Sequence, residues 1–224
     1  MRGVILSMAK TNNQLKIKNV FIFFSYLLLV WGLYRYLIKL PEEIEELVIK
    51  PLIWLLPLFI LIKREKEKLS SLGLTVKTLF PSLYFVIGLG AVFAIEALLI
   101  NFLKYGSLNL GSNIGDKTIL IAVFISLVTA FSEEIAFRGY IFGRLRDALN
   151  HEWKANLIST VMWIVIHIPI VVFVRDWTVG SALVYLLITG LFGMGSNFVY
   201  ARTGNVFASI LLHVVWEWPL ILFR

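Results

Sequence analysis

Ile119–Gly139 reads ILIAVFISLVTAFSEEIAFRG. It is an apolar run of the length that a ~30 Å hydrocarbon layer demands, about 20 residues. Yet it closes on two adjacent glutamates and an arginine. The rest of the chain resembles its apolar part. Of the 224 residues 59% are hydrophobic and 16% charged, and mean hydropathy is +0.84, values beyond those of an ordinary soluble domain. Further apolar runs recur with short polar breaks, placing spans at 19–38, 46–62, 79–104, 117–146, 155–174, 179–200 and 205–223. A backbone in lipid must satisfy its own polar groups, so open-chain spans are helices. The expected fold class is all-α: a multi-pass transmembrane bundle of about seven helices in the cell membrane. Residues 1–18 form an N-terminal tail and 19–224 a single membrane domain. Pro51 and Pro57 interrupt span 46–62 and predict a tilt or break there.

An odd number of crossings separates the termini. Placing the N-terminus inside puts 14 of the 21 Lys and Arg on the cytoplasmic side, with the acidic segment Glu42–Glu46 on the other, and the positive-inside rule selects that orientation. Val20–Ile38 is too long for a signal-peptide core and lacks an Ala-x-Ala exit, so it reads as a retained first helix. The net charge of +7 lies mainly in short loops, such as Lys63–Lys68. That is a solvated cytoplasmic loop beside anionic lipid, not a nucleic-acid footprint. Cysteine is absent, which excludes disulfides, thiolate metal sites and a cysteine nucleophile. The small residues Gly139, Gly143, Gly190, Gly193, Gly195 and Ser196 allow close helix approach, read as packing within the monomer.

Ionisable groups inside spans are costly unless paired or facing a polar cavity. Here they concentrate in the last four spans: Glu133, Glu134 and Arg138; Trp163 with His167; His213 with Glu217. Residues four apart share a helix face, so Glu134 can pair with Arg138 while Glu133 lies about 100° round the helix and points elsewhere. Helical rise puts Glu133, His167, His213 and Glu217 at comparable depth, lining one cavity. Any one of these motifs alone has an ordinary structural explanation, and His151 reads as a solvated loop residue. Together they supply a carboxylate to activate water and imidazoles to relay a proton and steady an oxyanion. Other intramembrane protease chemistries lack their signatures. There is no His-Glu-x-x-His and no Gly-x-Ser-Gly, and Asn113-Ile-Gly-Asp116 lacks the first glycine of the aspartyl Gly-x-Gly-Asp pattern.

Over about residues 117–224 the sequence resembles the CPBP membrane proteases. These comprise type II CAAX prenyl endopeptidases and bacteriocin-processing or immunity enzymes, also called the abortive-infection family. Glu133, Glu134 and Arg138 match its Glu-Glu-x-x-x-Arg. Trp163 and His167 match Phe-x-x-x-His with an aromatic exchange, and His213 and Glu217 partly match His-x-x-x-Asn/Asp. The resemblance implies an intramembrane endopeptidase in which Glu133 and His167 activate water and His213, with the residue four later, forms the oxyanion site. Glu134, Arg138 and Trp163 are then supporting residues. No cofactor is required on that reading. An older reading of the family makes it a metalloprotease, with zinc held by Glu133, His167 and His213. The expected partners are a peptide or protein substrate and the bilayer. An ionised Glu217 would repel an oxyanion, so that position departs chemically from the family pattern. The alternatives are a non-catalytic protein of the same fold, such as an immunity or scaffold factor, and a proton-coupled transporter, against which the lack of matching halves speaks.

Overall fold

The computed structural model describes residues 2–111, 117–175 and 177–222, and all the regular structure in them is helical. The Asn113–Asp116 segment considered above lies outside the described residues. The helices are α1 (Arg2–Leu37), α2 (Glu42–Ile44), α3 (Lys50–Arg64), α4 (Leu79–Tyr105), α5 (Ile119–Glu134), α6 (Gly143–Leu149), α7 (Glu152–Phe173), α8 (Val179–Thr203) and α9 (Val206–Leu222). A π-helical turn, Glu45–Ile49, joins α2 to α3, and a longer π segment, Ile135–Phe142, joins α5 to α6. The expected seven helical units are therefore present. Five are long and apolar enough to cross a membrane, the α5–α6 unit running unbroken over Ile119–Leu149, whereas α3 and α9 are shorter. Residues 2–18, read from sequence as a tail, continue α1 as helix.

Span 46–62 is not broken at its prolines. Pro51 lacks an N–H and crowds the carbonyl four residues earlier. The chain widens just before it, where the Lys50 N–H bonds the Glu45 carbonyl across five residues, so the helix proceeds through Pro57. The core follows helical periodicity: α1 buries Val20, Phe23, Leu27, Trp31 and Tyr34 on one face. Large apolar side chains such as Phe80, Ile87, Leu103, Leu120 and Leu183 stand exposed on the outside, the surface a bilayer covers. Small residues set the closest approaches. A Cβ on Gly139 would meet the Leu72 carbonyl oxygen at 2.9 Å, one on Gly190 the Ile164 side chain at 2.9 Å, and one on Gly193 the Trp163 ring at 2.8 Å. Ser196 donates to Glu134 at 2.7 Å, so these small-residue positions pack inside the monomer.

The two ends of the bundle differ. At one end Arg144 and Tyr140 bond Glu65, Lys16 meets Asp147, Arg202 grips Glu152, and the Val206 N–H bonds the Gly73 carbonyl. This end gathers Lys63, Arg64, Lys66, Lys68 and Lys154 as well and is called the basic end below. At the other, Arg35 pairs with Glu45 and Glu46, and Lys117 pairs with Glu42 and Glu43.

A candidate intramembrane active site

A cavity of about 630 Å³ lies between α1, α3, α5, α7, α8 and α9. Its lining includes Glu133, His167, His213 and Glu217, the four residues singled out from sequence. Its inner end rests on aromatic rings in sequential contact. Trp54 meets Phe137 at 5.8 Å between centroids, Phe137 meets Trp163 at 4.8 Å, Trp163 meets Phe192 at 6.1 Å, and Phe192 stacks on Trp216 at 4.3 Å. Such rings fill a bundle at low conformational cost and exclude water from below. The aromatic exchange at Trp163 thus keeps a wall: its ring abuts His167 at 4.4 Å and its carbonyl accepts from His167 Nδ1 at 2.7 Å. A carbonyl only accepts, so Nδ1 carries the proton and Nε2 is left for the cavity.

The adjacent glutamates take different environments, as their angular offset predicts. Glu134 is fully enclosed. Its Oε1 accepts from Arg138 at 2.9 Å and His213 Nδ1 at 2.8 Å, and its Oε2 from Ser196 at 2.7 Å. Three donors leave it no capacity for substrate. Arg138, itself 1% exposed, stacks beneath the floor, 4.3 Å from the Trp163 ring centre and 5.1 Å from Phe192, so the ion pair is also packed as a cation over rings. Glu133 faces the cavity instead. Its Oε2 stands 3.8 Å from His213 Nε2, a spacing that one water bridges. Glu217 accepts from Ser126 at 2.6 Å.

Sequence reasoning missed Lys50. Its ammonium is buried, 4% exposed, and lies 2.8 Å from Glu133 Oε1 while also pairing with Glu46. Glu46 in turn accepts from Thr129 at 2.7 Å and pairs with Arg35, which also holds Glu45. The acidic run Glu42–Glu46, read from sequence only as an outer acidic stretch, thus sends Glu45 and Glu46 into the cavity. The available signal was Glu46-x-x-x-Lys50, an i,i+4 pair abutting Pro51 in an otherwise apolar run.

Residues 115–219 match the family model described as type II CAAX prenyl endopeptidase Rce1-like. That segment is Rce1-like. It carries Glu133, Glu134, Arg138, Trp163, His167, His213 and Glu217, whereas Lys50, Glu46 and Arg35 come from outside it. No curated protein and no solved structure matches the chain. The match over this segment agrees with the resemblance read from the motifs, and the five long apolar helices indicate a multi-pass membrane protein. Among the described residues no three His, Asp or Glu side chains gather as a metal-ligand set, and the Lys50 ammonium already occupies Glu133 Oε1.

Proposed function

We propose that the protein is an intramembrane endopeptidase that hydrolyses a peptide bond with water activated by Glu133 and His167. The observation that carries the reading is the convergence of Glu133, His167 and His213 from three helices on one cavity floored by aromatic rings. Lys50 holds Oε1 of Glu133, which leaves Oε2 as the basic oxygen. Water between Oε2 and His167 Nε2 gives up a proton as its oxygen attacks the scissile carbonyl. The carbonyl π electrons move to oxygen, and His213 in its doubly protonated form donates Nε2–H to that oxyanion. Collapse of the tetrahedral intermediate expels the amine, which takes up the proton held by Glu133. Glu134 fixes the His213 ring through Nδ1 and is a positioning residue. Glu217, tied to Ser126, lines the cavity wall and helps to confine the substrate carbonyl.

The test compares polypeptides in membranes carrying the wild-type chain with those carrying Glu133→Gln. The variant is expected to fold and reach comparable abundance, because Lys50 keeps its pairing with Glu46, while substrate cleavage products disappear. Identical peptide profiles from both would refute proteolysis.

One observation favours a second reading, a non-catalytic protein of the same fold. Lys50 directly engages the proposed base, as a structural ion pair would. Lys50→Arg separates the two. It preserves the pair, so a scaffold keeps its phenotype, but it alters the position of the cation at the reacting carboxylate, so an enzyme changes its rate.

A further inference from the structure

We propose that the site takes its substrate from the extracytoplasmic face of the membrane, so that the substrate is a polypeptide segment already translocated across it. The inference rests on the proteolytic reading above and names its substrate class.

Two independent features carry it. The first is the direction in which the cavity opens. Toward the basic end it is shut by the aromatic floor, and beneath that floor Arg138, Tyr140 and Phe142 are all at or below 1% exposure. Below these again, Arg144 and Tyr140 close on Glu65. At the opposite end the lining continues to Ile38, Leu40, Glu42, Lys117, Val174 and Arg175, residues that follow α1, precede α5 and follow α7. A peptide therefore enters past the α1 C-terminus.

The second feature is the asymmetry of charge between the ends. Lys63, Arg64, Lys66 and Lys68 lie in one short loop at the closed end, with Arg146, Lys154 and Arg202 beside it. The mouth is lined by Arg35, Lys39, Lys117 and Arg175, of which Lys117 pairs with Glu42 and Glu43, and Arg35 with Glu45 and Glu46. Positive charge in short loops stays cytoplasmic. The closed end accordingly faces the cytoplasm and the open end faces away from it. A polypeptide reaches Glu133 only after an export or membrane-insertion step, and that class of reaction must supply the substrate.

The cysteine-free sequence makes a direct test possible on the full chain. Single variants Leu40→Cys at the mouth, Ala122→Cys in the cavity wall and Ser70→Cys at the basic end are expressed in a bacterial host. Right-side-out spheroplasts are exposed to a membrane-impermeant maleimide, with permeabilised samples as reference. The expected result is labelling of Leu40→Cys and Ala122→Cys in intact spheroplasts and of Ser70→Cys only after permeabilisation. Labelling of Leu40→Cys only after permeabilisation, or of Ser70→Cys in intact spheroplasts, overturns the proposal. Labelling at Leu40→Cys but not at Ala122→Cys in either sample overturns the open path to the cavity. The readout needs no catalysis and should be unchanged in a Glu133→Gln background, so the orientation and the proteolytic reading fail separately.

Discussion

Lys50→Met replaces the buried ammonium by an apolar side chain of similar length and tests whether the cation organises the cavity. Lys50 bonds both Glu46 and Glu133, so the facing carboxylate oxygens lie within about 5 Å of each other, two hydrogen-bond lengths. With the ammonium gone, the cluster of Arg35, Glu45, Glu46 and Glu133 holds one cation against three carboxyl groups. At ~5 Å and an effective dielectric of about 20, repulsion between the two unmasked carboxylates is about 3 kcal/mol. Adding the lost pairing brings the expected destabilisation to about 3–5 kcal/mol, the range for removing one partner of a buried pair. Lys50→Met with Glu133→Gln removes the charge from both positions and should recover at least about half of that loss, a coupling within the range for residues in direct contact. The assay is denaturant unfolding of purified protein in mixed micelles, followed by tryptophan fluorescence. Trp31 and Trp54 report locally, because the ammonium lies 5.5 Å and 6.0 Å from their ring centres. A Lys50→Met protein as stable as wild type, or a cycle with zero coupling, would refute the idea that Lys50 holds Glu133.

Arg138→Met should destabilise by about 3–5 kcal/mol, since the enclosed Glu134 loses its cation, and the double change with Glu134→Gln should recover part of this in the same unfolding assay. Gly193→Ala places a methyl 2.8 Å from the Trp163 ring. About 1–3 kcal/mol of overpacking cost is expected, and cleavage should fall because Trp163 holds His167. Ser126→Ala removes the hydroxyl that donates to Glu217 and leaves Glu133 and the histidines unchanged. The expected outcome is a raised KM with a smaller change in kcat, measured on whichever peptide the membrane comparison identifies. At the mouth, Glu43 is held below the ordinary glutamate range, first by its own backbone N–H and then by Lys117, and Lys117 is raised by Glu42. A depressed carboxyl stabilises above its unfolded value and loses that contribution as pH falls through its folded value. The mobility of a spin label already attached at Leu40→Cys should therefore rise only as pH falls into the acid range and the mouth loosens.

The seven helical units were legible because bilayer thickness fixes the length of an apolar run, and the i,i+4 spacings of Glu134 with Arg138 and Trp163 with His167 were legible because helix geometry is local. Convergence of Glu133, His167 and His213 also followed from depth along each span. Lys50 was not visible in that way. Its distance to Glu133 is set by how α3 leans on α5 across 83 residues of sequence, and its position at the head of a proline-interrupted run reads as a helix end in water. Glu45 and Glu46 were misjudged for the same reason. An acidic cluster next to a predicted membrane boundary has the composition of a loop until packing brings Arg35 and Lys50 against it. The π turns had no signal at all beyond Pro51.

The π segment Ile135–Phe142 gives the chain slack in length at one place. Glu133 and Glu134 precede it and address the cavity and Arg138, whereas Tyr140 and Arg144 lie within and beyond it and close on Glu65 at the basic end. Wide turns hold more residues than an α-helix would over the same path, so losing one residue there lets the backbone relax to ordinary α-helix with the two groups near their present angle. The same deletion in a flanking α turn has no such reserve and turns everything on one side of the cut by about 100° relative to the other. Either the glutamates then leave the cavity or the Glu65 latch opens, so this stretch can shed a residue where its neighbours cannot.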